Sequence, residues 1–149
     1  MLIETDILVA HVKESDWLKR PSEIILGAAE SGELSLCASS ESLHELYYLG
    51  VKLGIDLETL LAKIASLVRI EGIRWLPSTA EVSLAALTLM IEYGLSSIFD
   101  AYYAATALLM DPDRTIVSTD SAYDSVPGLR RVDPRDLARS LGAAPREGP

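Results

Sequence analysis

The sequence predicts an α/β fold in three layers, with a mostly parallel central sheet flanked by helices. Three observations carry that expectation. Short apolar runs suited to strands alternate with stretches of helical periodicity. One helical stretch, Ser97–Met110 (SIFDAYYAATALLM), is apolar all round except for Asp100, as expected of a buried helix. Acidic residues recur where strand runs end, and in an open parallel sheet the ligand crevice lies beyond the carboxyl ends of the strands.

The strand runs are Leu2–Thr5, Leu34–Ala38, Ile73–Leu76 and Thr115–Ser118, with a weaker one at Arg130–Val132. Helices are expected over Ile7–Val12, Pro21–Ser31, Glu41–Leu53, Leu57–Ile70, Thr79–Tyr93, Ser97–Met110 and Arg135–Leu141. Asp56 suits the cap of the helix at Leu57, Ser78 with Glu81 matches a capping box, and Gly94 suits a C-terminal stop. Strands separated by helices imply parallel pairing through right-handed crossovers. There is no internal repeat; residues 1–142 read as one domain and 143–149 as a flexible tail rich in Gly, Pro and charge.

Composition narrows the function classes. A chain of 149 residues hides roughly two-thirds of its unfolded surface on folding, enough for a real core. At 49% hydrophobic and 23% charged it reads as globular, without an apolar run of membrane-spanning length. No basic leader precedes the first apolar run, so a soluble, cytoplasmic protein is expected. Cys37 is the only cysteine, which fits a reducing compartment, excludes a thiolate metal cluster and suggests a small core residue. The net charge of −9 argues against a broad basic face for nucleic acid, although a bound cation inverts the local field.

Six carboxylates are candidates for chemistry. Asp100 lies in the first turn of its helix, where a wheel groups it with Tyr103, Ala104 and Ala107. It either completes a capping box with Ser97 or serves as a ligand. Glu4 and Asp6 flank Thr5 at the end of the first strand; the bland alternative is that Asp6 caps the next helix. Glu45 shares a wheel face with Glu41, Tyr48 and Lys52, opposite Leu43, Leu46, Tyr47 and Gly50, and by itself that is a solvated face. Ser42 and Glu45 also match a capping box, with Ser39 or Ser40 the better cap. Asp120 and Asp124 flank Tyr123 after the fourth strand, where an ordinary turn is the usual outcome.

Strand ends and helix starts bring all six to one crevice, where protons or cations must neutralise them. Hard oxygen donors of this kind suit Mg²⁺ or Mn²⁺ and the phosphates those ions act on. His11 and His44 have no motif partner, so zinc is disfavoured. Nucleophile-elbow, P-loop and dinucleotide fingerprints are all missing.

In order and spacing the acidic motifs resemble the PIN-domain family, of the VapC toxin type, over nearly the whole chain. Glu4-Thr5-Asp6-Ile7-Leu8-Val9 stands where the family has an Asp-Thr-Asn-like triplet and aliphatics, with Glu4 at the leading aspartate. Glu45 in SESLHELYY matches the helical glutamate. Asp100-Ala101-Tyr102-Tyr103-Ala104-Ala105-Thr106-Ala107 is similar to the family's third motif. Ser118-Thr119-Asp120 matches the fourth, with Tyr123-Asp124 in a Phe-Asp-like position.

The resemblance implies a metal-dependent endoribonuclease. Glu4, Glu45, Asp100 and Asp120 would be catalytic, and these with Asp6 and Asp124 would hold Mg²⁺ or Mn²⁺. Thr5, Ser118 and Thr119 would support them, and Lys13, Lys19, Arg20, Arg130 and Arg131 are candidates for gripping RNA. It also implies a small antitoxin partner, a homodimer and no membrane. A PIN-fold scaffold with little catalysis is the alternative. A phosphotransfer domain using Asp6 as acyl-phosphate acceptor is a third reading.

Overall fold

The computed structural model describes residues 1–143. Five strands, β1 (Leu2–Ile3), β2 (Leu36–Ser39), β3 (Ile73–Leu76), β4 (Thr115–Val117) and β5 (Arg130–Val132), form one sheet in the order β3-β2-β1-β4-β5. Every pairing is parallel, so the sheet is wholly rather than mostly parallel. Around it lie α1 (Thr5–Val12), α2 (Lys19–Glu30), α3 (Glu41–Lys52), α4 (Leu57–Val68), α5 (Ala80–Tyr93), α6 (Ile98–Met110) and α7 (Pro134–Ala143). The tail expected from residue 143 lies outside the described residues, apart from Ala143, which ends α7.

The period-two alternation of the strands divides the core into two halves. Leu2, Cys37 and Ile116 face the apolar sides of α5 and α6. Ile3, Leu36, Ala38 and Val117 face Ile7, Leu8, Ile25, Leu26, Leu67 and Leu137 from the helices on the other side. A parallel sheet covered on both faces uses apolar residues at successive positions, which is why the strand runs lack alternating polarity. Cys37 is buried and free, as its isolation in the sequence suggests. Among the described residues no single helix is long and apolar enough to cross a membrane.

Several boundaries differ from the sequence reading, each for a local reason. β1 stops at Ile3 and α1 starts at Thr5. Glu4 therefore takes the cap position in extended conformation without a side-chain capping bond, and Asp6 lies inside the first turn instead of capping it. Thr79, not Ser78 with Glu81, caps α5, accepting from the Val82 N–H; the Ser78 hydroxyl meets Ser40 at 3.3 Å instead. Ser97 caps α6 through Phe99, leaving Asp100 out of a reciprocal box. In α3, Ser39 accepts from the Glu41 N–H, so Ser42 and Glu45 are released from capping. The buried stripe of α3 is Ser42, Leu46 and Gly50, and Tyr47 is exposed. Gly94 ends α5 at φ 66°, the left-handed stop its position promised, and α6 departs at 113° to α5.

Candidate active site

β1 is the central strand, and the chain order reverses between β1 and β4, so the crevice at this switch point opens beyond their carboxyl ends. Glu4 follows β1 directly. Ser118, Thr119 and Asp120 follow β4. α3 starts immediately after β2 and carries Glu45 in its second turn, while Asp100 occupies the first turn of α6. Neighbouring strand ends and helix starts thus supply all the principal acids.

Glu4 is 9% exposed, and its Oε1 accepts a 3.0 Å hydrogen bond from the Tyr123 hydroxyl. Burial, then the nearby Asp6 and Asp100 carboxyls, push its pKa up to about 8 against the opposing hydrogen bonds from Ser118 and Tyr123. Burial raises Asp6 to about 6, with Asp16 and Asp100 adding repulsion. Asp6 Oδ1 is buried with no hydrogen-bond partner. Glu45 is raised by burial and by Asp100 and Asp6; Asp100 by burial and by Asp120. The repulsions connect Glu4, Asp6, Glu45, Asp100 and Asp120 into one electrostatic cluster.

A second line of hydroxyls holds this cluster. Tyr103, wholly buried, donates to Glu45 Oε2 at 3.1 Å, and its oxygen lies 2.7 Å from the Thr5 hydroxyl, which donates to Ser42 at 3.1 Å. Ser118 accepts from the Asp120 N–H at 3.0 Å, and Asp120 Oδ1 in turn accepts from the Ala122 N–H at 2.9 Å, shaping the short 3-10 turn Ser121–Ser125. Tyr103, Tyr123 and Ser42 were not singled out from the sequence as holding the acids. The available signal was that a tyrosine in an apolar stretch buries its ring and must find a partner for its hydroxyl.

Asp124 does not join the cluster. It is exposed and forms a two-pronged pair with Arg131 at 2.9 and 3.0 Å, which lowers its pKa. Arg131 also donates to the Ser118 carbonyl at 3.2 Å, so it braces the turn. Arg130 donates to Thr115 at the amino end of β4, away from the crevice. Lys13 pairs with Asp16 at 3.6 Å, and Lys19 donates to the carbonyls of His11 and Lys13. Arg20 is exposed. His44 pairs with Glu41 at 2.9 Å.

The donor set is all carboxylate, Glu4, Asp6, Glu45 and Asp100 hold a proton more tightly than usual, and one buried oxygen, Asp6 Oδ1, lacks a partner. Those features suit a hard divalent cation. Among the described residues no three or more His, Cys, Asp or Glu side chains already stand close enough together to hold a metal ion.

The fold has close counterparts among solved structures. VapBC2 from Rickettsia felis, bound to a DNA fragment from its promoter, is similar at 18% identity and TM-score 0.65, over 88% of this chain and 96% of that one. A toxin-antitoxin complex from Klebsiella pneumoniae is 20% identical with TM-score 0.57, over 89% and 96%. Mycobacterium tuberculosis VapC20, described as a Sarcin-Ricin loop cleaving toxin, is 16% identical with TM-score 0.62, over 83% and 92%. No curated protein sequence matches the chain. The PIN domain model matches residues 1–129, most of the chain and all of the acidic crevice, and the protein belongs to the PIN domain family.

Proposed function

We propose that the protein is a metal-dependent endoribonuclease of the VapC toxin type. The observation that carries this reading is the convergence of Glu4, Asp6, Glu45, Asp100 and Asp120 at the switch point, where burial and mutual repulsion raise the proton affinities of Glu4, Asp6, Glu45 and Asp100. Such a cluster favours whatever neutralises it. Glu4, Glu45, Asp100 and Asp120, with Asp6 beside them, would hold Mg²⁺ or Mn²⁺. When bound, such a cation supplies a water of lowered pKa and neutralises the charge that develops on a phosphodiester under attack.

The chain's own groups do the positioning. Tyr123 and Ser118 fix the long Glu4 side chain, and Tyr103 with Thr5 fixes Glu45. The hydroxyl contacts favour catalysis over the scaffold alternative, because they orient carboxylates that a scaffold has no use for. Among the solved counterparts are a toxin that cleaves the Sarcin-Ricin loop and complexes with antitoxins, which supports RNA as substrate and a small antitoxin as partner. The antitoxin would cover the apolar groove of about 270 Å³ between α1, α3 and α4, and a homodimer would cover the exposed Leu84, Leu87 and Ile91 of α5.

The test is cleavage of single-stranded and hairpin RNA with Mn²⁺. Chelation should abolish it, and Asp100→Asn should lower it by roughly 100-fold or more, beyond the usual cost of losing an outer-shell partner. Cleavage indifferent to both would refute the reading.

A further inference from the structure

Trp17 is 64% exposed, an unusual place for the largest apolar side chain. It lines a cavity of about 180 Å³ together with Asp6, Asp16 and Glu45, so its ring borders the acidic crevice directly. Its backbone is fixed from both sides. Asp16 accepts from the Leu18 N–H at 2.9 Å, and Lys19 ties the carbonyls of His11 and Lys13. The guanidinium of Arg135 lies 5.3 Å from the Trp17 ring centroid. Arg135 in turn lines a second groove, of about 360 Å³, whose charged residues are Arg20, Arg135 and Arg139.

These contacts form one path: carboxylates, indole, then three guanidiniums. We infer that this path is a track for single-stranded RNA leaving the scissile phosphate, with one base stacked on Trp17 and the following backbone laid along Arg20, Arg135 and Arg139. The inference rests on the ribonuclease reading above and names where its substrate lies.

Charge favours this route over others. On a chain of net charge −9 a polyanion is repelled by most of the surface. Arg20 has no carboxylate partner among the described residues. Arg139 pairs with Asp136, and such an exposed pair is weak and exchanges readily for phosphate, whereas Arg135 is held two-pronged by the mostly covered Asp133, which fixes it beside the Trp17 ring. Stacking on an exposed aromatic ring is tolerant of sequence because every base has a π-face. The track therefore supplies affinity and direction without reading a sequence.

The test uses the full chain carrying Asp100→Asn, so that RNA is bound and not cut, with a fluorescein-labelled eight-nucleotide single strand followed by anisotropy at several salt concentrations. Adding Trp17→Ala should weaken binding by about tenfold or more, with Trp17→Phe restoring much of it. Adding Arg20→Ala with Arg139→Ala should flatten the plot of log affinity against log salt by roughly 0.7 for each arginine removed. Circular dichroism confirms that these surface variants fold. Unaltered affinity and slope in both variants, with wild-type cleavage intact, overturns the track and leaves the nuclease standing. An effect in only one of the two overturns the continuous path. Wild-type protein that neither binds nor cleaves RNA overturns both readings.

Discussion

Tyr123 donates its hydroxyl to Glu4 across 119 residues of sequence, at 3.0 Å, in a buried contact. The bond joins the turn after β4 to the residue after β1, so the two strands that flank the switch point share one hydrogen bond at the site.

Removing that donor tests its role. Tyr123→Phe leaves the ring and withdraws the bond, so Glu4 becomes harder to ionise and less well oriented. Cleavage should fall by about 10- to 100-fold, the usual effect of an outer-shell partner, while the thermal midpoint changes by an amount equivalent to about 1–3 kcal/mol. Steady-state assay and thermal unfolding of the same preparation check both.

Glu4 also sets a pH dependence. Its folded pKa, about 8, lies above the ordinary 4.5, and that of Asp6, about 6, lies above 3.8. The native state therefore holds protons that the unfolded chain has released. Stability contributed by the neutral forms is fully present below the unfolded values and is lost as pH rises through the folded ones. Without divalent cation the thermal midpoint should fall between pH 5 and pH 8. Glu4→Gln should remove most of that slope, and Mn²⁺ should offset it by competing with the protons. A midpoint that rises over this range would contradict the assignment.

Asp124 separates spacing from geometry. Its pair with Arg131 is exposed, so Asp124→Asn should leave cleavage within about threefold of wild type and cost under about 1 kcal/mol. A loss comparable to that of Asp100→Asn would place Asp124 back among the acids.

Gly72 tests the packing of β3 against α2. It has φ 84°, and a Cβ there would meet the Ala29 carbonyl. Gly72→Ala should cost about 1–3 kcal/mol in chemical denaturation, with the acids undisturbed.

Much of this arrangement was legible in the sequence because it rests on local pattern. The alternating runs gave the five strands and seven helices, and the single charge in an apolar helix marked Asp100. Glu4 and Asp120 followed from the rule that crevices lie past strand ends. What periodicity could not show was the direction of each side chain after the chain turns. Glu45 reads as a solvated face on a wheel, yet α3 packs on α6 and turns it toward Tyr103. Asp124 reads as a member of the acidic turn, yet it lies within the 3-10 turn Ser121–Ser125 and pairs with Arg131. The path from Trp17 to Arg135 joins residues 118 positions apart, which no local motif encodes.

On the proposed reading these carboxylates gather a divalent cation. Crystals of the protein grown near pH 7.5 and soaked in Mn²⁺ should show one strong anomalous peak bounded by Glu4, Asp100 and Asp120, lost in Asp100→Asn. Manganese absent from the crevice, or bound only at Asp124 and other exposed acids, would contradict the account.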